Sequence, residues 1–125
     1  MSHLNIVDRQ DVVMVTFNNV KILDESVIRQ IGSEFEKLTT EAAAERKLLL
    51  NFDRVTFMSS AMIGQIMKLY KQTKADGVAM KLCSIDPAIL EVFKITRLDK
   101  LLDIKKTEAD ALASFGPPRK SFTAR

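Results

Sequence analysis

The chain has 125 residues, 46% of them hydrophobic and 28% charged, with a formal net charge of +3. That length holds one domain and not two, the composition is that of a globular protein, and no apolar stretch approaches the roughly 18–20 residues of a membrane span. The single cysteine, Cys83, excludes an intrachain disulfide, and with only His3 for company it excludes a zinc site of the usual His/Cys kind.

In chain order, Leu4-Asn5-Ile6-Val7 and Val12–Phe17 are β-branched and apolar without a helical period, and the polar stretch Asp8–Asp11 between them suits a turn. Asp24 then caps a helix, with Glu25 at the positive end of its dipole and Leu23 and Ile28 placed as a hydrophobic staple. Ile28, Ile31, Phe35 and Leu38 form one buried stripe, and the helix is expected to fade near Thr39-Thr40. Arg46–Asn51, with three consecutive leucines, reads as a central strand.

A second helix begins at Ser59-Ser60. Its predicted inner face is Ile63, Ile66, Met67 and Tyr70, with Lys68, Lys71 and Lys74 in solvent and Gly77 as the left-handed cap. Val78–Ser84 is the next strand. Asp86-Pro87 opens a third helix whose apolar content comes from Ala88, Leu90, Val92, Phe93 and Ile95. Leu98–Ile104 gives a turn and a short strand, and Thr107 caps a last helix over Glu108–Ser114. Strands joined through helices imply parallel pairing and right-handed crossovers.

The net charge belongs to the C-terminus. Phe115–Arg125 carries three basic residues and no acid, leaving 16 basic against 16 acidic side chains in the rest. The expected organisation is a domain over 1–114 and a basic flexible tail over 115–125. The neutral body argues against direct binding of nucleic acid. The polar stretch Met1–Asp11 has no apolar core of the signal-peptide kind, so the expectation is a cytoplasmic protein without membrane attachment.

Residues able to do chemistry are few. The Gly-x-Ser-x-Gly elbow and glycine-rich phosphate loops are absent, and His3 sits too near the end of the chain to serve as a rigid base. Asp99 and Asp103 share their neighbourhood with Arg97 and Lys100 and read as a charge-mixed surface. Cys83, within a strand, reads as a small buried apolar residue. No enzyme, metal or cofactor is expected. A serine at a helix start is usually a cap, worth about 1 kcal/mol, and that reading stands beside a functional one for Ser59-Ser60. Met62, off the predicted inner face, reads as an exposed contact residue or as a partly buried filler.

The stretch Asn51–Ile66, with Phe57-Met58 and Ile63-Gly64 at its ends, resembles the STAS family (sulfate transporter and anti-sigma factor antagonist domains). Pro87–Leu102 is similar as well, and the likeness spans Leu4–Ser114. It implies an α/β fold: a STAS-like single domain with a mixed, mostly parallel sheet of four to five strands and about four helices. It also implies an anti-sigma factor antagonist that binds an anti-sigma factor, a serine kinase of the histidine-kinase-like ATPase type, and is switched by phosphorylation. The phosphorylated serine of the family falls on Ser60. The partner-binding set carried over is Ser59, Ser60, Ala61, Met62 and Asp24. Ser59 and Met62 stand where the family has Asp and Gly. The alternative is a scaffold or sensor without a phosphorylation switch that binds other STAS domains or a small ligand. A homodimer is left open.

Overall fold

The computed structural model describes residues 3–9, 11–45 and 47–116. Twelve elements follow one another: β1 (Leu4–Arg9), β2 (Val12–Phe17), β3 (Lys21–Ile22), α1 (Glu25–Glu45), β4 (Lys47–Asn51), β5 (Phe57–Met58), α2 (Ser60–Ala75), β6 (Ala79–Cys83), α3 (Pro87–Ile95), α4 (Leu98–Leu101), β7 (Asp103–Lys105) and α5 (Glu108–Ser114). The main sheet has the order β1-β2-β4-β6-β7. β1 runs antiparallel to β2 and every other pair is parallel. The expected mixed, mostly parallel sheet is therefore present with five strands. Beyond the expected four helices, α4 adds one turn.

Side-chain alternation along the strands splits the interior in two. Val13, Val15 and Phe17 of β2, Leu48 and Leu50 of β4, and Met80 and Leu82 of β6 join the buried side chains of α1, α2 and α3 in one large core. Val12, Met14, Leu49 and Cys83 point to the opposite face, where Ala111 and Leu112 of α5 cover them with Phe115 packed alongside. Phe17 anchors the large core, stacked on Phe52 at 4.7 Å and edge-on to Phe35 at 6.3 Å. Such pairs add about 0.5–1.5 kcal/mol beyond the area they bury.

The α1 stripe Ile28, Ile31, Phe35 and Leu38 is buried as expected. Leu23, expected to staple against Ile28, stays half exposed. The helix does not fade at Thr39-Thr40 but continues to Glu45, because the following Glu-Ala-Ala-Ala-Glu favours helix more than the two threonines oppose it. The α2 inner face also needs correction: Met62, Ile66, Leu69 and Thr73 are buried, whereas Ile63, Met67 and Tyr70 are half-buried on its flank. Gly77 takes the expected left-handed conformation at φ 73°. Leu98–Ile104, expected as a turn and strand, is a helical turn followed by β7. The expected tail lies outside the described residues from position 117 onward. Among the described residues no helix is long and apolar enough to cross a membrane.

Candidate functional site

The predicted site residues come from two places 35 positions apart, Asp24 and Ser59–Met62. A second, two-stranded parallel sheet joins them. In it β3 pairs with β5, Lys21 with Phe57 and Ile22 with Met58. The Thr56 N–H donates to the Val20 carbonyl at 2.8 Å, and the Ser59 N–H donates to the Ile22 carbonyl at 3.0 Å. Ile22 and Met58 are buried beneath this ribbon. The segment entering α1 and the segment entering α2 are thus tied edge to edge, and the two helix starts open onto one surface.

At the α1 start the Asp24 carboxylate is well engaged. One oxygen accepts from the Ser26 hydroxyl at 2.6 Å and the Ser26 N–H at 2.7 Å, with the Val27 N–H at 3.4 Å. The Ser26 hydroxyl is the main cause holding the Asp24 carboxyl below its ordinary range, and the two N–H donors lower it further. Asp24 is exposed.

The α2 start is different. Ser59 holds the N-cap position in an extended conformation, and its carbonyl accepts from the Met62 and Ile63 N–H groups at 3.1 and 3.2 Å. Its side chain makes no capping bond, and its hydroxyl oxygen is buried without a partner. Ser60, the first helical residue, and Ala61 are exposed. The first N–H groups of a helix have no intrahelical acceptor, and the macrodipole makes that end positive. The Ser60 hydroxyl therefore stands in solvent at a helix start that no side chain caps.

Of the predicted set, Asp24, Ser59, Ser60 and Ala61 lie along this surface. Met62 does not. Its side chain is fully buried against the core, so it anchors the start of α2 from below and offers no contact. Phe57, half exposed, is the large apolar side chain beside the α2 start. With Met58, Ile63, Ala88 and Val92 it lines a shallow apolar cleft of about 70 Å³ between β5 and α3. Only a residue-by-residue pairing of β3 with β5 shows Phe57 facing out, and two-residue strands carry no periodic signal.

The remaining candidates are structural. Asp103 lies between Lys81 and Lys105, 3.3 Å from the latter. Burial alone would raise its carboxyl, but the hydrogen bond and charge of Lys81, followed by those of Lys105, hold it below the ordinary value. Cys83 is fully buried, and burial pushes its thiol up to about 11, which makes it inert. Among the described residues no three His, Cys, Asp or Glu side chains are grouped to hold a metal ion.

Comparison with known proteins agrees with this fold. The STAS domain pattern matches residues 1–111. BtrV of Bordetella bronchiseptica, a candidate anti-sigma factor antagonist, is 28% identical over 85 residues, which are 64% of this chain and 73% of that one. An anti-sigma factor antagonist from Mycobacterium paratuberculosis superposes with a TM-score of 0.77 at 18% identity, covering 89% of this chain and 91% of the other. SpoIIAA of Bacillus in its phosphorylated form superposes with a TM-score of 0.67 at 18% identity, covering 90% and 98%. At these identities the two structures speak for the fold.

Proposed function

Because the chain belongs to the STAS domain family, in the company of anti-sigma factor antagonists, we propose that it is a non-enzymatic regulator that binds an anti-sigma factor with serine kinase activity and is released when Ser60 is phosphorylated. The observation that carries this reading is the Ser60 hydroxyl, exposed at the first position of a 16-residue helix whose N-cap side chain makes no hydrogen bond. A kinase reaches such a hydroxyl without unfolding anything. That SpoIIAA has been solved in a phosphorylated form supports a switch of this kind.

The physical chemistry of the switch follows from the surface. Unmodified, Phe57, Ser60 and Ala61 and the adjoining Leu23 present apolar area and a neutral hydroxyl, with the Asp24 carboxylate as the charge beside them. Phosphate adds about −1.5 to −2 charges and strong acceptor oxygens. The uncapped N–H groups and positive helix end tolerate that charge, so the fold is kept. A docked partner must instead desolvate the phosphate, and a loss of about 3 kcal/mol lowers affinity more than a hundredfold.

The experiment is phosphopeptide mapping of the protein from its native cells, followed by binding of the Ser60→Asp protein to the kinase recovered with it. A single phosphate at Ser60, and at least hundredfold weaker binding by Ser60→Asp, is the expected result. No phosphate under any growth condition, with binding unchanged in Ser60→Asp, would move the protein to the second reading, a scaffold or sensor without a switch. One observation favours that second reading: a cleft of about 120 Å³ between α1 and α2, walled by Phe35 and Leu69 and rimmed by Gln65 and Gln72.

A further inference from the structure

β1 is an edge of the main sheet. β2 pairs it on one side, and no described strand pairs it on the other. Along its six residues only Leu4 is buried, and Ile6 and Val7 expose apolar side chains on opposite faces. The register decides which backbone groups face outward. The Asn18 N–H donates to the His3 carbonyl at 2.9 Å, and Leu4 to Arg9 lie opposite Phe17 to Val12 in unbroken order. Residues that exchange ladder bonds alternate in an antiparallel pair. Asn5, Val7 and Arg9 therefore spend their backbone groups on β2, and Ile6 and Asp8 turn theirs away from the sheet.

We propose that two copies of the chain associate through β1, antiparallel about a two-fold axis at Val7, so that two five-stranded sheets become one continuous sheet. The side chains select this register. With the axis at Val7, the Ile6 backbone bonds Asp8 of the second copy and the reverse, giving four ladder hydrogen bonds. Val7 meets Val7 in a non-hydrogen-bonded pair, the site where opposed side chains come closest. Asn5 faces Arg9 of the second copy on the same side of the sheet. The Asn5 amide nitrogen already donates to Asn18, which leaves its carbonyl oxygen for the guanidinium. No like charges oppose one another.

Neighbouring registers are worse. An axis at Asp8 sets two carboxylates against each other, which destabilises a cross-strand pair. An axis at Ile6 draws on the backbone of Leu4, a residue already engaged elsewhere. Charged residues on an edge strand ordinarily discourage pairing. In the alignment centred on Val7, Asp8 lies opposite Ile6 and Arg9 opposite the Asn5 amide, so neither charge meets its like while the exposed valines pair. Ser60, Asp24 and Phe57 are not on β1, so this interface uses none of the residues of the proposed partner surface.

Sedimentation velocity on the whole chain, from low micromolar to millimolar concentration, tests the proposal, with amide hydrogen exchange as a second readout. The expected result is a monomer–dimer equilibrium in which the Ile6 and Asp8 amides gain protection as the dimer forms. Asp8→Pro removes only an outward N–H and leaves the β1–β2 ladder whole. Val7→Lys places two ammonium groups across the axis. Each is expected to weaken association at least tenfold. A wild-type chain that stays monomeric throughout, or a dimer that both variants leave intact, overturns the proposal.

Discussion

The α3 helix begins with a side chain that bonds its own first turn, and the α2 helix begins with one that does not. Asp86 accepts from the Ala88 N–H at 2.9 Å, and Pro87 fills the first helical position with its φ already suited to it. Ser59 occupies the same position on α2 with an idle hydroxyl, followed by an exposed serine. Both helices pack buried side chains into the same core. The difference shows that capping is not what holds α2 in place. Its start is fixed by the β3–β5 ribbon and by Met62 beneath it, which leaves the polar groups of the first turn available to something outside the molecule.

Four measurements test this difference between helix starts. The largest effect is expected for Met62→Ala, because removing a fully buried side chain costs the transfer energy and leaves a cavity. A loss of about 2–4 kcal/mol in urea denaturation is expected. A loss below 1 kcal/mol would mean that α2 is anchored by something other than its core face. Next comes the contrast between caps. Asp86→Ala should cost about 1 kcal/mol, and Ser59→Ala should stay within about 0.5 kcal/mol of wild type, because it deletes a hydroxyl that bonds nothing. Equal losses would erase the distinction between the two starts.

A smaller gain is expected when charge is placed at the open helix end. Ser60→Asp should raise stability by about 0.3–1 kcal/mol at low ionic strength, and added salt should remove the gain. Salt-insensitive behaviour would show that the dipole is not felt there.

The smallest effect concerns pH and sets α1 against α2. The Asp24 carboxyl is held below 3.8 in the folded chain, so its contribution is complete above that value and fades as pH falls through the folded one. Amide resonances of Ser26 and Val27 should therefore titrate in acid below pH 3.8, while those of Ser60 and Ala61, with no ionisable cap, should stay still. Titration of both sets together would mean that the ribbon couples the two helix starts.

Much of this architecture could be read from the chain, and the misses have physical causes. Asp24, Asp86, Thr107 and Gly77 act at helix ends as their chemistry requires, and each works within one turn. On α2 two stripes, Ile63–Ile66–Met67–Tyr70 and Met62–Ile66–Leu69–Thr73, both fit helical spacing. Only the packing of the helix on the sheet chooses between them. The second stripe ends in a polar residue, Thr73, which a hydrophobic pattern discounts but which satisfies its hydroxyl on the Tyr70 carbonyl at 2.9 Å. The β3–β5 ribbon leaves no mark in the sequence, because it rests on pairings between distant segments with two residues on each side. Yet it brings Asp24 and Ser60 onto one surface. The candidate residues thus come from a family resemblance, and their shared placement comes from the ribbon.

Cys83 carries a consequence of a different kind. Its thiol lies under Ala111 and Leu112, and burial there pushes its titration up to about 11, so the closed form holds little thiolate. Alkylating reagents can reach the sulfur only after α5 lifts from the sheet. The slow labelling of this one atom is therefore a clock for that motion, supplied by the native sequence without any added probe. It reads how often the back of the domain comes open while the front, with its three helices, stays closed.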